Sequence, residues 1–182
     1  MSKRYEIRFS GAGGQGLILA GVIMAEAASI YEGLQAVQSQ SYGPEARGGS
    51  SKSEVIISDG PIDYPKATIV DALLALTQEA ADKYSVDLKE GGVLLIDSEL
   101  VTRQPAGNFK VVSFPITSTA KNEVGREIVT NIVALGAMVA LTGMITRENA
   151  EKAVLARVPE AFLELNKKAF NIGYEKAIAA LG

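Results

Sequence analysis

The chain of 182 residues contains no cysteine, no histidine and no tryptophan. Without cysteine it forms no disulfide, presents no thiolate nucleophile and ligates neither an iron–sulfur cluster nor a thiolate-bound zinc. Without histidine it lacks the commonest metal ligand and the usual general base near neutral pH. Redox or acid–base chemistry therefore falls to carboxylates, lysine, tyrosine, a bound cofactor or another polypeptide. A strong charge of one sign is also missing, because 18 Lys and Arg against 21 Asp and Glu leave a net charge of −3. That balance gives no general attraction to nucleic acid or to an anionic membrane surface and favours proteins or small molecules as partners. Met1 to Arg8 shows no basic stretch leading into an apolar one, the mark of a signal peptide, so the expected location is cytoplasmic.

The composition, 47% apolar and 21% charged, is that of an ordinary globular chain able to bury a core. One long apolar run stands out. Between Ile128 and Ile145 only Thr130, Asn131 and Thr142 are polar, and Arg126 and Arg147 flank the run. Its length would suit a membrane span. Asn131, Gly136, Gly143 and the many alanines instead favour a helix enclosed by protein, with a subunit interface as one place for part of it.

Tyr5 to Ser10 alternates like a first strand and runs into Gly11-Ala12-Gly13-Gly14-Gln15-Gly16, after which the periodicity predicts a helix from Gln15 to Tyr31. Leu34 to Gln38 reads as a strand, Ser39 to Ser50 as a loop, and Ser53 to Ser58 as a strand able to pair antiparallel at one side. Short apolar runs at Ala72–Leu76, Val93–Ile96 and Val111–Phe114, with a helix over Gln78–Tyr84, indicate a largely parallel sheet covered on both faces. Glu127 to Thr142 is the apolar helix. Thr146 reads as the N-cap of the next, and Pro159 as the first residue of the last. The expected class is α/β: a Rossmann-like three-layer domain with a largely parallel sheet and a helical C-terminal layer, spanning residues 1–182.

Gly11, Gly13 and Gly16 satisfy the G-x-G-x-x-G spacing between a strand and a helix. Such glycines let an anionic group approach main-chain amides at a helix N-terminus, where the dipole favours negative charge; they also allow close packing of helix on strand. Leu17 and Ile18 replace the Lys and Ser or Thr that a triphosphate-hydrolysing loop requires. Gln38, Ser39 and Gln40 stand where NAD binding wants an acid, and NADP rests on Arg47 alone.

The glycine run, followed by Gln40-Ser41-Tyr42-Gly43-Pro44-Glu45-Ala46-Arg47-Gly48-Gly49, then Ser53 to Ser58 and Thr130-Asn131 with Leu135-Gly136-Ala137, resembles the gamma subunit of 2-oxoacid:ferredoxin oxidoreductases. This is the pyruvate/ketoisovalerate oxidoreductase gamma-domain family, and the Ser-Tyr-Gly-Pro-Glu-x-Arg-Gly-Gly form looks most like its 2-oxoglutarate branch. The resemblance implies a complex that decarboxylates a 2-oxoacid on thiamine diphosphate, passes electrons through iron–sulfur clusters to ferredoxin and releases an acyl-CoA. It implies alpha, beta and ferredoxin-like partner subunits that carry both cofactors, and an isolated chain that is inactive, with a homo-oligomer conceivable. It further implies that Gly11, Gly13, Gly14, Gln15 and Gly16 contact coenzyme A phosphates.

Arg47 is either a second phosphate or carboxylate contact or an ion pair ordering its loop, with Glu45 as the nearby acid in sequence. Tyr42 either stacks on the site or anchors on the core. Asp97 reads as a turn or helix-capping carboxylate, Asp59 and Asp63 as a solvated hairpin turn, and Asn131 as a helix-packing hydrogen bond. No residue is assigned as catalytic or as a metal ligand. A free-standing NADP-dependent dehydrogenase and a purely structural subunit are the alternatives.

Overall fold

The computed structural model describes residues 3–44 and 49–182. Strands β1 (Arg4–Ala12), β2 (Gln35–Tyr42), β3 (Ser50–Ser58), β4 (Val70–Ala75), β5 (Leu88–Asp97) and β6 (Lys110–Phe114) form one sheet in the order β2-β3-β1-β4-β5-β6. β1, β4, β5 and β6 run parallel, while β3 lies antiparallel between β1 and β2. The antiparallel pairing of β3 is as expected. Its place is not at the edge, because β2 pairs on its other side and stands outermost, with Tyr42 opposite Ser51. β2 also runs further than the apolar pattern suggests: its Ser and Gln residues pair through the backbone, which needs no apolar alternation at an exposed edge.

The apolar runs that end β4 and β5 are buried on both faces, as central parallel strands should be. One face packs Ile7, Phe9, Leu74 and Leu95 against α1 (Leu17–Glu26) and the C-terminal helices; the other packs Leu73, Leu94 and Ile96 against α2 (Gln78–Tyr84). The three-layer class is therefore as read from the sequence. After β6, α3 (Ile116–Ser118) continues into a π-helical turn, Thr119–Val124, which the sequence did not announce.

Helix α4 (Thr130–Thr142) is the apolar run, and its residues Thr130 to Val139 are all buried inside the chain. Its main neighbour is α6 (Leu163–Ala180), with Gly136 against the Phe170 carbonyl and Gly173 against the Val133 carbonyl. No helix among the described residues is long and apolar enough to cross a membrane. Helix α5 (Arg147–Arg157) starts as read, with Thr146 Oγ1 accepting from the Asn149 amide at 3.2 Å. Pro159 differs from the expectation. Its ψ of 151° places it just outside a 3₁₀ turn at Glu160–Phe162, and α6 begins only at Leu163.

Candidate functional site

β1 delivers the glycine run to the C-terminal end of the parallel strands, where its chain turns one way to α1 and β2 while β4 to β6 continue the other way. Ligands of open α/β sheets bind at such a reversal. α1 begins at Leu17 rather than Gln15, because Gly16 sits at φ 77°, outside the helical region, and no side chain caps the helix. Gly14 is also left-handed, at φ 88°.

Most of the loop's polar groups can be accounted for one by one. Gln15 folds back over Gly11, and its Oε1 accepts from the Ala12 amide at 2.7 Å. The Gly13 amide donates to Gly49 O at 2.7 Å, so the two glycine-rich motifs meet in space. Among the described residues, the amides of Gly14, Gly16, Leu17 and Ile18 and the Nε2 of Gln15 find no acceptor. A helix start leaves such donors pointing outward and partly positive.

Of these residues, Gly14, Gln15 and Gly16 line a cleft of about 900 Å³. Its opposite wall comes from Arg126, Glu127 and Ile128 and from the start of α4, its floor includes Thr117, and Leu19, Leu100, Val158, Phe162 and Leu165 supply apolar surface. Asn131 joins the two walls: it is buried, and its Nδ2 donates to Gly16 O at 3.2 Å. A Cβ on Gly16 would stand 2.6 Å from that nitrogen, so both the backbone angle and the close approach require glycine.

Asp97 behaves as the turn or helix-capping carboxylate read from the sequence. Fully buried at the end of β5, it accepts from the amides of Glu99, Leu100 and Thr117, the last at 2.8 Å, and so fixes the cleft floor. Asp59 is a turn residue at the far end of the sheet, bonded to the Lys3 amide at 2.7 Å. Tyr42 does not anchor on the core; it ends β2 with 66% of its surface exposed and does not line the cleft, since β3 separates it from β1. Arg47 and Glu45 lie outside the described residues. Sequence reasoning missed Arg126 and Glu127, which lie more than a hundred residues from the glycine run and carry no local motif.

The cleft is buttressed from behind. Arg157 binds Glu26 through two nitrogens, tying α5 to α1 just before Val158 enters the lining. That hydrogen bond, more than the charge itself, holds the Glu26 carboxyl below its ordinary range. Glu32 is likewise lowered, chiefly because it accepts from the Thr146 amide. Tyr5, at the opposite end of the sheet, is pushed up to about 12 by burial and by the nearby Asp71 charge.

The fold is an α/β domain with a glycine elbow lining a cleft at the C-terminal ends of its parallel strands, and the sequence narrows this class to one family. Residues 6–176 match the pyruvate ferredoxin/flavodoxin oxidoreductase family, and the chain belongs to it. The 2-oxoglutarate synthase subunit KorC of Methanocaldococcus jannaschii is 53% identical over 176 residues, which cover 96% of this chain and 94% of that one. The crystal structure of the keto/oxoacid ferredoxin oxidoreductase gamma subunit from Geobacter sulfurreducens matches with TM-score 0.92 and 76% identity over 98% of both chains. A 2-oxoglutarate:ferredoxin oxidoreductase from Magnetococcus marinus shares the fold, with TM-score 0.85 and 24% identity over 97% of this chain and 31% of that longer one. The resemblance drawn from the motifs is thereby confirmed.

Proposed function

We propose that this chain is the gamma subunit of a thiamine diphosphate-dependent 2-oxoacid:ferredoxin oxidoreductase acting on 2-oxoglutarate, and that it holds coenzyme A by the amides of its glycine elbow. One observation supports the ligand assignment: Gly14 and Gly16, whose amides find no acceptor among the described residues, line a cleft of about 900 Å³, and the free amides of Leu17 and Ile18 follow directly at the helix start. A phosphate accepts several such donors at once, and a helix start favours its charge. The apolar wall suits a pantetheine arm, and Gln15 Nε2 offers one more donor. The Magnetococcus enzyme that shares this fold was solved with 2-oxoglutarate, coenzyme A and succinyl-CoA bound, which agrees with the reading.

The cofactors belong elsewhere in the complex on this reading. Iron–sulfur clusters need cysteine ligands, which this sequence lacks entirely. Asp59-Gly60 is followed by Pro61 and forms a turn rather than a thiamine diphosphate signature. That cofactor, when bound to the partner alpha and beta subunits, supplies decarboxylation of the 2-oxoacid; a ferredoxin-like subunit carries electrons to ferredoxin. This chain, one domain over residues 1–182 in the cytoplasm, binds and orients the acyl acceptor and completes the assembly.

A dehydrogenase reading fares worse, because β3 intervenes between β1 and β2 and no acid stands at the end of β2. Purified chain is expected to oxidise no 2-oxoacid, and co-expression with the cofactor-bearing subunits to give CoA-dependent ferredoxin reduction. Full activity from a complex assembled without this chain would refute the role. Nicotinamide binding by the isolated chain would favour the dehydrogenase, and assembly without any CoA contact a purely structural subunit.

A further inference from the structure

The cleft has a second polar wall that the glycine elbow does not explain. Arg126 is its only lysine or arginine among the described lining residues, and among the described residues it makes no ion pair. Its backbone is nonetheless fixed. The amides of Gly125 and Arg126 both donate to Ala120 O, at 2.9 and 3.0 Å, Gly125 turns the chain at φ 105°, and Val129 N donates to Arg126 O at 3.2 Å. The Asn131 bond to Gly16 then holds this turn against the elbow, so the cation and the free amides face one cavity from two sides.

A ligand with a single anionic group needs only one of these walls. We infer that the site takes a nucleotide carrying two separated phosphate groups, and that Arg126 binds the second of them: the 3′-phosphate of coenzyme A, with the diphosphate on the elbow. A guanidinium presents paired donors that match a phosphate, which suits an exposed position at the mouth where a monoester dianion is still partly solvated. Glu127 stands beside Arg126 in the lining and works against it, since its carboxylate repels the same group. This inference rests on the coenzyme A reading of the cleft.

The test titrates coenzyme A and dephospho-coenzyme A, which lacks only the 3′-phosphate, into the assembled complex by calorimetry. The wild type is expected to prefer coenzyme A by roughly tenfold to a hundredfold, the range of one charge-assisted contact. Arg126→Gln should bring coenzyme A down to the level of dephospho-coenzyme A and leave the latter unchanged. Glu127→Gln should tighten coenzyme A alone. Equal weakening of both ligands by Arg126→Gln, or of neither, overturns the assignment. A Gly14→Ala variant separates the two levels of the argument. If it weakens both ligands while Arg126→Gln spares the preference, only the 3′-phosphate contact is wrong. If neither variant changes either affinity, the cleft is not the coenzyme A site and both readings fall.

Discussion

Gly14→Ala isolates the elbow's amides from the rest of the fold. At φ 88° an alanine is strained by about 1–2 kcal/mol, yet its methyl group meets no atom within 4 Å, at a residue that lines the cleft. There it keeps a phosphate from closing on the Gly14 amide. Loss of one hydrogen bond to a charged group is worth about 1.5–3 kcal/mol, which converts to roughly a tenfold to hundredfold rise in the dissociation constant. Gly143→Ala provides the control: it too is left-handed, at φ 63°, with no atom within 4 Å of a Cβ, but it ends α4 on the side away from the cleft. Both variants should lower the melting temperature by roughly 2–8 °C. Only Gly14→Ala should weaken coenzyme A, measured by calorimetry on the assembled complex and by KM in the ferredoxin-reduction assay. Equal coenzyme A affinity in the two variants would refute the role of these amides.

Gly173→Ala tests the packing behind the site. Its Cβ would overlap the Val133 carbonyl, α4 and α6 would have to separate, and a loss of about 3 kcal/mol is expected, seen as a fall in melting temperature of roughly 6–12 °C; an unchanged melting curve would show that the helices are not locked there. Glu26 and Glu32 have folded pKa values below their ordinary range, so their contribution is complete above the unfolded value of about 4.3 and is lost as pH falls through the folded values. Urea midpoints should drop in that acid window, and Arg157→Ala should flatten the drop; an identical profile in that variant would count against the Arg157–Glu26 contact. Tyr5 has the opposite sign. Raised to about 12, it stabilises the fold below its unfolded pKa of about 10 and ceases to do so as pH climbs through 12. Its late phenolate absorbance should vanish in Tyr5→Phe and persist if another tyrosine is responsible.

The features legible in the sequence are those whose cause is local. β1, the glycine elbow, the Gln78–Tyr84 helix and the Thr146 cap each depend on residues within one or two turns of chain, and each stands where the pattern placed it. The start of α1 slipped by two residues because a left-handed Gly16 ends the elbow, an angle that spacing does not reveal. The position of β3 depends on which edge of β1 remains free after β4 pairs, a property of the whole sheet. The same division runs through the site. The donor wall was readable from Gly11 to Gly16, whereas Arg126 acquires meaning only when the Asn131 bond brings α4 to Gly16. Asn131 itself was noticed as a polar residue in an apolar helix, but its partner lies 115 residues away.

Backbone hydrogen exchange of the assembled complex, with and without coenzyme A, addresses the elbow most directly. Coenzyme A should slow exchange at the amides of Gly14, Gly16, Leu17 and Ile18, the donors that find no acceptor among the described residues. Unchanged exchange at those four amides, with protection appearing in a companion subunit instead, would contradict the claim that this chain holds the ligand.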